Sequence, residues 1–425
     1  MSTVVWEGGA PAVAEVQTIA VTGNWANADT ATITINGKAV TYTVSGLTGN
    51  TQFYTNAKLI AALNASTLPE FEEQTFANTS NTVMTITADT AGRPFTLATS
   101  EVTAGNGELG DPAVSTACSG PNVFNTAANW DTGAVPVAGD AIVFEHSNVD
   151  CLYNLDQSSV DNFASLTAKQ SYTGKIGLPR TNKSGGSSAS DYYVEYREAY
   201  LKAAVQAVTI GEGAGSGSGR VKLSLENSAT CAILVYDTGT PAETGVESLV
   251  ITNTHTAATA TISKGSVGFN VFSGETGTIA TLKIGYTTNR YGDVTGRAGS
   301  GTTITTLDKS GGDYEIGTAA ATITHTGGDL TIKDGSITTL NVDGGTVRYQ
   351  GNDTITTVNG GAGALDLATD MRARTFTNTL VYKGFTLLDP FKTVTFTNGI
   401  DLVRCGLSDV TLDLGDHQTL TPSAI

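Results

Sequence analysis

The sequence predicts a mainly β protein: a small N-terminal α+β module followed by a parallel β-helix (β-solenoid) with coils of 16–18 residues. Three observations lead there. Glycine is abundant, at 49 of 425 residues, while only 15% of residues are charged. Glycine doublets recur at Gly311-Gly312, Gly327-Gly328, Gly344-Gly345 and Gly360-Gly361, in steps of 16, 17 and 16. Each doublet lies between short alternating segments rich in Thr, Ile, Leu and Val. A fixed step of this length marks stacked supersecondary units, because a single coil cannot bury its own apolar side. An antiparallel sandwich would also have short alternating strands and Gly turns, but it does not require the constant step.

Residues 1–15 read as an N-terminal arm, with Trp6 as a partner contact. Residues 16–110 form the α+β module. Val16-Gln17-Thr18-Ile19-Ala20-Val21 alternates as a strand. Ile33 and Ile35, then Asn36-Gly37, then Val40, Tyr42 and Val44 make a hairpin, since Asn-Gly accepts the positive φ of a type I′ turn. A helix is expected over about 51–65, where Phe53, Ala57, Ile60, Ala61 and Asn64 fall at helical spacing. Strands at 82–87 and 94–97 follow, joined through Ala91-Gly92-Arg93.

Residues 111–150 read as a linker and β-helix cap, and 151–425 as the solenoid. Within the repeats, strands precede the doublets (Ile304–Leu307, Ile323–His325, Ile337–Leu340, Ile355–Val358) and follow them (Tyr314–Ile316, Leu330–Ile332, Val347–Tyr349, Leu365–Leu367). Apolar side chains point inward and Thr outward, where β-branched residues suit a pleated surface.

Composition limits function. The formal charge is −17, which disfavours nucleic acid as a partner because phosphate contacts need clustered cations. No run of 18 apolar residues exists, so no membrane helix is expected. The first residues lack a basic n-region and an apolar core, so no signal peptide is expected. Cys118, Cys151, Cys231 and Cys405 are far apart; no zinc spacing exists, and a Cys118–Cys151 disulfide lacks support from a secretion signal. The four His residues (146, 255, 325 and 417) form no HExxH or HxxxH motif, and His325 reads as a coil-packing residue. No metal, cofactor or catalytic residue is expected.

Two features invite a chemical reading. Paired carboxylates on one long face can cleave glycans, and Asp313, Asp329, Asp334, Asp343, Asp353 and Asp366 lie in the repeats. Most adjoin Gly or Asn, where Asp usually bonds its own backbone in a turn. Tyr192, Tyr193, Tyr196 and Tyr200 crowd nine residues. They read either as an aromatic patch for a partner or ligand, or as residues closing one end of the solenoid.

Two segments carry a resemblance. Residues 16–104, through Ile33–Val44, Leu59–Asn64, Met84–Ala88 and Gly92–Leu97, resemble a small module of tailed-phage virion and prophage proteins. Residues Asn129–Phe144 (NWDTGAVPVAGDAIVF) are similar to the segment that precedes parallel β-helices in bacterial and phage surface proteins, with Trp130 placed to cap the apolar stack. The resemblance implies a non-enzymatic phage structural protein, first a capsid decoration (cement) or head-fibre protein that binds and stabilises the major capsid shell. It further implies a homotrimer on the outer capsid surface, assembled in the host cytoplasm. The alternatives are a tail-associated or tailspike protein that binds or cleaves host polysaccharide, and a secreted bacterial β-helix adhesin. On any of these readings Trp6, Trp130, Tyr192, Tyr193, Tyr196 and Tyr200 are the expected partner contacts.

Overall fold

The computed structural model describes residues 2–47, 49–179, 181–183, 192–194, 199–226, 231–254, 258–285 and 294–415. Two long parallel sheets form a β-solenoid: one of fourteen strands, thirteen of them in an unbroken ladder, and one of eleven. From Leu201 to Leu388 the chain alternates between them, giving each coil one strand in either sheet.

Register explains the cohesion. In the first sheet Val4, Ile142, Leu166, Val208, Ile233, Ala260, Leu282, Leu307, Ile323, Leu340 and Val358 stand over one another in successive strands. In the second sheet Val221, Leu249, Val267, Gly296, Tyr314, Leu330, Val347, Leu365, Leu387 and Leu412 do the same. These columns face each other and belong to a single buried cluster that runs from Val4 to Leu414. The doublet glycines set the coil spacing. Gly328 (φ +75°) and Gly345 (φ +65°) occupy the left-handed region, and a Cβ on Gly345 would lie 2.3 Å from the Gly328 carbonyl oxygen of the previous coil.

The N-terminal residues correct the expected arm. Thr3–Trp6 is the first strand of the first sheet and pairs in parallel with Ala141–Phe144. Val4 and Trp6 are buried at 3% and 0% exposure, so the alternating apolar pattern is satisfied only as a rung of the stack. The open side of this strand is closed by residues 129–131: Asp131 N–H donates to the Val5 carbonyl (3.0 Å), and Val5 N–H to Asp131 Oδ1 (2.8 Å).

The α+β module is therefore inserted between the first two rungs. Its five-stranded sheet centres on Val16–Thr22 and Val83–Ala88; its three-stranded sheet pairs Thr30–Ile35 with Lys38–Thr43 and Leu97–Val102. Asn36 and Gly37 have φ of 48° and 82°, as the hairpin turn requires. The helix Thr51–Asn64 is capped by Asn50 and packs on a separate core that includes Ile19, Ile33, Leu59 and Ile86. The expected linker contributes to this module, because Ala113–Thr116 pairs with Val16–Thr22, as Glu108–Leu109 of the module also does. The chain enters and leaves at one place: Val13 N–H donates to the Ser119 carbonyl at 2.7 Å. None of the four cysteines is in a disulfide.

Candidate functional site

The expected partner contacts fall into separate places. Trp6 and Trp130 are not presented to a neighbour. They are 0% and 2% exposed, meet edge to face at 5.1 Å, and pack with Phe124, Phe144 and Tyr172. Each indole N–H is satisfied internally, Trp6 Nε1 by the Val149 carbonyl (3.0 Å) and Trp130 Nε1 by the Phe124 carbonyl (2.9 Å). The physical reason is the stack itself: its first rung would otherwise leave apolar side chains facing water. Tyr200 is 9% exposed and donates to Glu275 Oε1 at 2.5 Å, which makes it an internal tether rather than a surface patch. The backbone of Tyr192–Val194 pairs antiparallel with Thr181–Lys183. The side chains of Tyr192 and Tyr193, and Tyr196 altogether, lie outside the described residues.

The carboxylates of the repeats divide in the same way. Asp334, Asp343 and Asp353 lie in turns between strands, the position that short acceptor side chains favour. Asp313 and Asp329 stand in register on adjacent outer rungs of the second sheet. Arg348 pairs with Asp329 at 3.1 Å and reaches Asp366 at 3.8 Å.

Asp313 opens onto a groove of about 570 Å³ along the outer face of the second sheet. Its floor holds Arg297, Glu315 and Thr331, and one wall is the loop from Pro241 to Glu247. This loop buries part of the outer face. Lys222 and Val250 point outward from their strands yet are 1% and 0% exposed. Glu243 reaches down to Lys222 at 3.0 Å, and Arg220 lies 3.8 Å from the same carboxylate. Glu247 meets Arg297 at 3.4 Å. Burial pushes the Glu247 carboxyl up, and nearby Glu315 adds to the effect, while Arg297 opposes it. Glu315, ion-paired to Lys333 at 2.9 Å, is close enough to Glu247 to add to that shift, so the groove holds two carboxyls in unlike surroundings. Glu243, in contrast, serves an ion pair that fastens the loop.

Two polar residues lie inside the coil: His325, expected as a coil-packing residue, and Lys309, which sequence reasoning missed. Lys309 and His325 occupy successive positions of the column Ile262, Ile284, Lys309, His325, Val342. They are 1% and 0% exposed. Lys309 Nζ donates to the carbonyls of Gly312 (2.6 Å) and Gly327 (3.2 Å), and His325 Nε2 bonds the Gly328 carbonyl (3.1 Å). They fasten the Gly-Gly turns from within. Burial, with the Lys309 charge adding to it, pulls the imidazole down to about 4; burial pulls Lys309 down to about 8. Among the described residues no group of three or more His, Cys, Asp or Glu side chains is arranged to hold a metal ion. Compared with known proteins, the chain matches no family model and no curated sequence.

Proposed function

We propose that this chain is a non-enzymatic structural protein, a rigid stalk carrying an inserted head module, and that it serves as a capsid decoration protein of a tailed-phage particle, bound to the major capsid protein. The observation that carries the reading is the single apolar column system running from Val4 to Leu414, closed at its start by Trp6 and Trp130. Such a stack resists bending and unravelling, because every rung is held by the next through hydrogen bonds and shared core. The inserted module is the stretch that resembles virion and prophage proteins, and the capping segment resembles the entry to β-helices of bacterial and phage surface proteins. Homotrimerisation and a place on the outer shell surface belong to the same proposal.

The test adds the purified chain to expanded shells of a tailed phage and measures co-sedimentation and heat release of the genome. Binding with a raised release temperature is expected. A variant with 16–116 replaced by a short Gly-Ser link should keep the solenoid and lose shell attachment; attachment at full strength would overturn the anchoring role of the module. A second reading, a tail protein acting on host polysaccharide, is favoured by the Glu247–Glu315 groove. Release of reducing ends from capsular polysaccharide, abolished by Glu247→Gln, would replace the first reading with this one.

A further inference from the structure

A cleft of about 650 Å³ lies between the module and the first coils of the solenoid. One wall is Val114 with Ala117 and Cys118; Phe95 closes the module side, and Leu155 with Asp156 forms the solenoid side. The wall carrying Val114 is the edge strand Ala113–Thr116. It pairs with Val16–Thr22 on one side and, among the described residues, with no strand on the other. All four of its residues are exposed, and Val114 is 57% exposed.

We infer that this cleft receives one extended polypeptide segment of a partner protein, added as a strand beside Ala113–Thr116, with alternate apolar side chains directed into the recess and basic residues at its ends. Three observations fix the occupant. An edge strand presents unpaired N–H and C=O groups that only another extended main chain satisfies in series. Leu155 and Asp156 line the same cleft as Val114, so a segment seated in it touches the solenoid and the module together. The charge is one-sided: residues 16–116 hold 8 Asp or Glu against 3 Lys or Arg, a net of 3 − 8 = −5. Glu15 and Asp156 line the cleft itself. Asp156 is exposed there, with Lys202 3.6 Å away, whereas Glu15 is buried and already accepts from Gln17 Nε2 (2.7 Å) and the Phe95 N–H (3.2 Å), so the charge offered to a segment is that of Asp156.

This deepens the structural reading, since it names the kind of segment by which a shell or tail subunit would attach. It rests on that reading for the identity of the partner alone. The experiment uses the full chain and a labelled peptide, acetyl-Lys-Val-Thr-Val-Thr-Val-Lys-amide. Anisotropy measures binding, and mass-mapped iodoacetamide labelling compares Cys118 with Cys405. Saturable binding is expected, with alkylation of Cys118 slowed about tenfold and that of Cys405 unchanged. The same peptide with Glu in place of both Lys should bind at least about tenfold more weakly. Val114→Asp, at an exposed position, should remove binding while the circular dichroism spectrum stays the same. No anisotropy change up to about 1 mM peptide, binding that leaves Cys118 labelling unaltered, or protection of Cys118 by self-association without peptide would each overturn the inference. Shell binding could fail while the peptide binds, and the reverse, so the two proposals fall separately.

Discussion

Acid should loosen the solenoid at His325. In the unfolded chain its imidazole takes up a proton near pH 6.5; in the fold, burial beside Lys309 lowers this to about 4. The unfolded state therefore binds the proton first. Nothing is lost above pH 6.5; stability falls as the pH drops through the window from 6.5 to about 4 and is constant below it. The width of that window corresponds to about 3 kcal/mol. The groups facing the ring are the Lys309 ammonium from the rung before, the Gly328 carbonyl and the Asp329 carboxylate, with Val342 on the rung after. Other carboxylates titrate in the lower part of the same range, so the measurement is a difference. Urea unfolding followed by far-ultraviolet circular dichroism is compared for the parent chain and His325→Leu at intervals from pH 7 to 4. Tryptophan emission would not serve, because Trp6, Trp25 and Trp130 all lie in the first third of the chain. The parent should lose about 3 kcal/mol more than the variant across the window, and Lys309→Met should shrink the step by removing the neighbouring charge. A parent–variant difference that stays constant within about 0.5 kcal/mol from pH 7 to 4 would refute the reasoning.

Trp130→Ala should cost about 3–5 kcal/mol, read as a lowered melting temperature with amide exchange fastest in residues 141–168, since it opens the first rung to water. Gly345→Ala should lower the melting temperature by several degrees, because the methyl meets the Gly328 carbonyl oxygen and φ is positive; full retention of stability would mean that the coils are not stacked at this spacing. Glu243→Gln should destabilise by about 1–3 kcal/mol in chemical denaturation by removing the carboxylate paired with the buried Lys222 ammonium, and Lys222→Met combined with it should recover most of the loss.

The solenoid was legible because its rule is local and repeated: a glycine doublet, then an alternating strand, at nearly constant step. The hairpin at Asn36-Gly37 and the helix Thr51–Asn64 were legible for the same reason, each being signalled within a few residues. What escaped was long-range. Thr3–Trp6 reads as an arm because its partner lies 138 residues away, beyond a whole module. Four alternating residues do not reveal what they pair with. Trp6 and Trp130 similarly look like surface anchors until the stack they close is in view. Lys309 occupies an apolar register position, which a pattern of hydrophobicity alone passes over, whereas its neighbour His325 was readable as a coil-packing residue from its place in a repeat strand. The buried outer face at Lys222 and Val250 had one local sign: Leu249-Val250-Ile251 is apolar without alternation, as in a strand covered on both sides.

The delayed pairing of Thr3 with Ala141 bears on how the molecule is made. At about 5–20 residues per second a ribosome needs roughly 7–28 s to deliver the complementary rung. Throughout that interval Val4 and Trp6 wait unsheltered while the inserted bead closes around its own interior. Growth thereafter is vectorial: each emerging turn finds a finished template immediately behind it. The pairing of these two strands is therefore the step of biogenesis that must span the whole inserted bead, whereas the later rungs pair with strands close behind them in sequence.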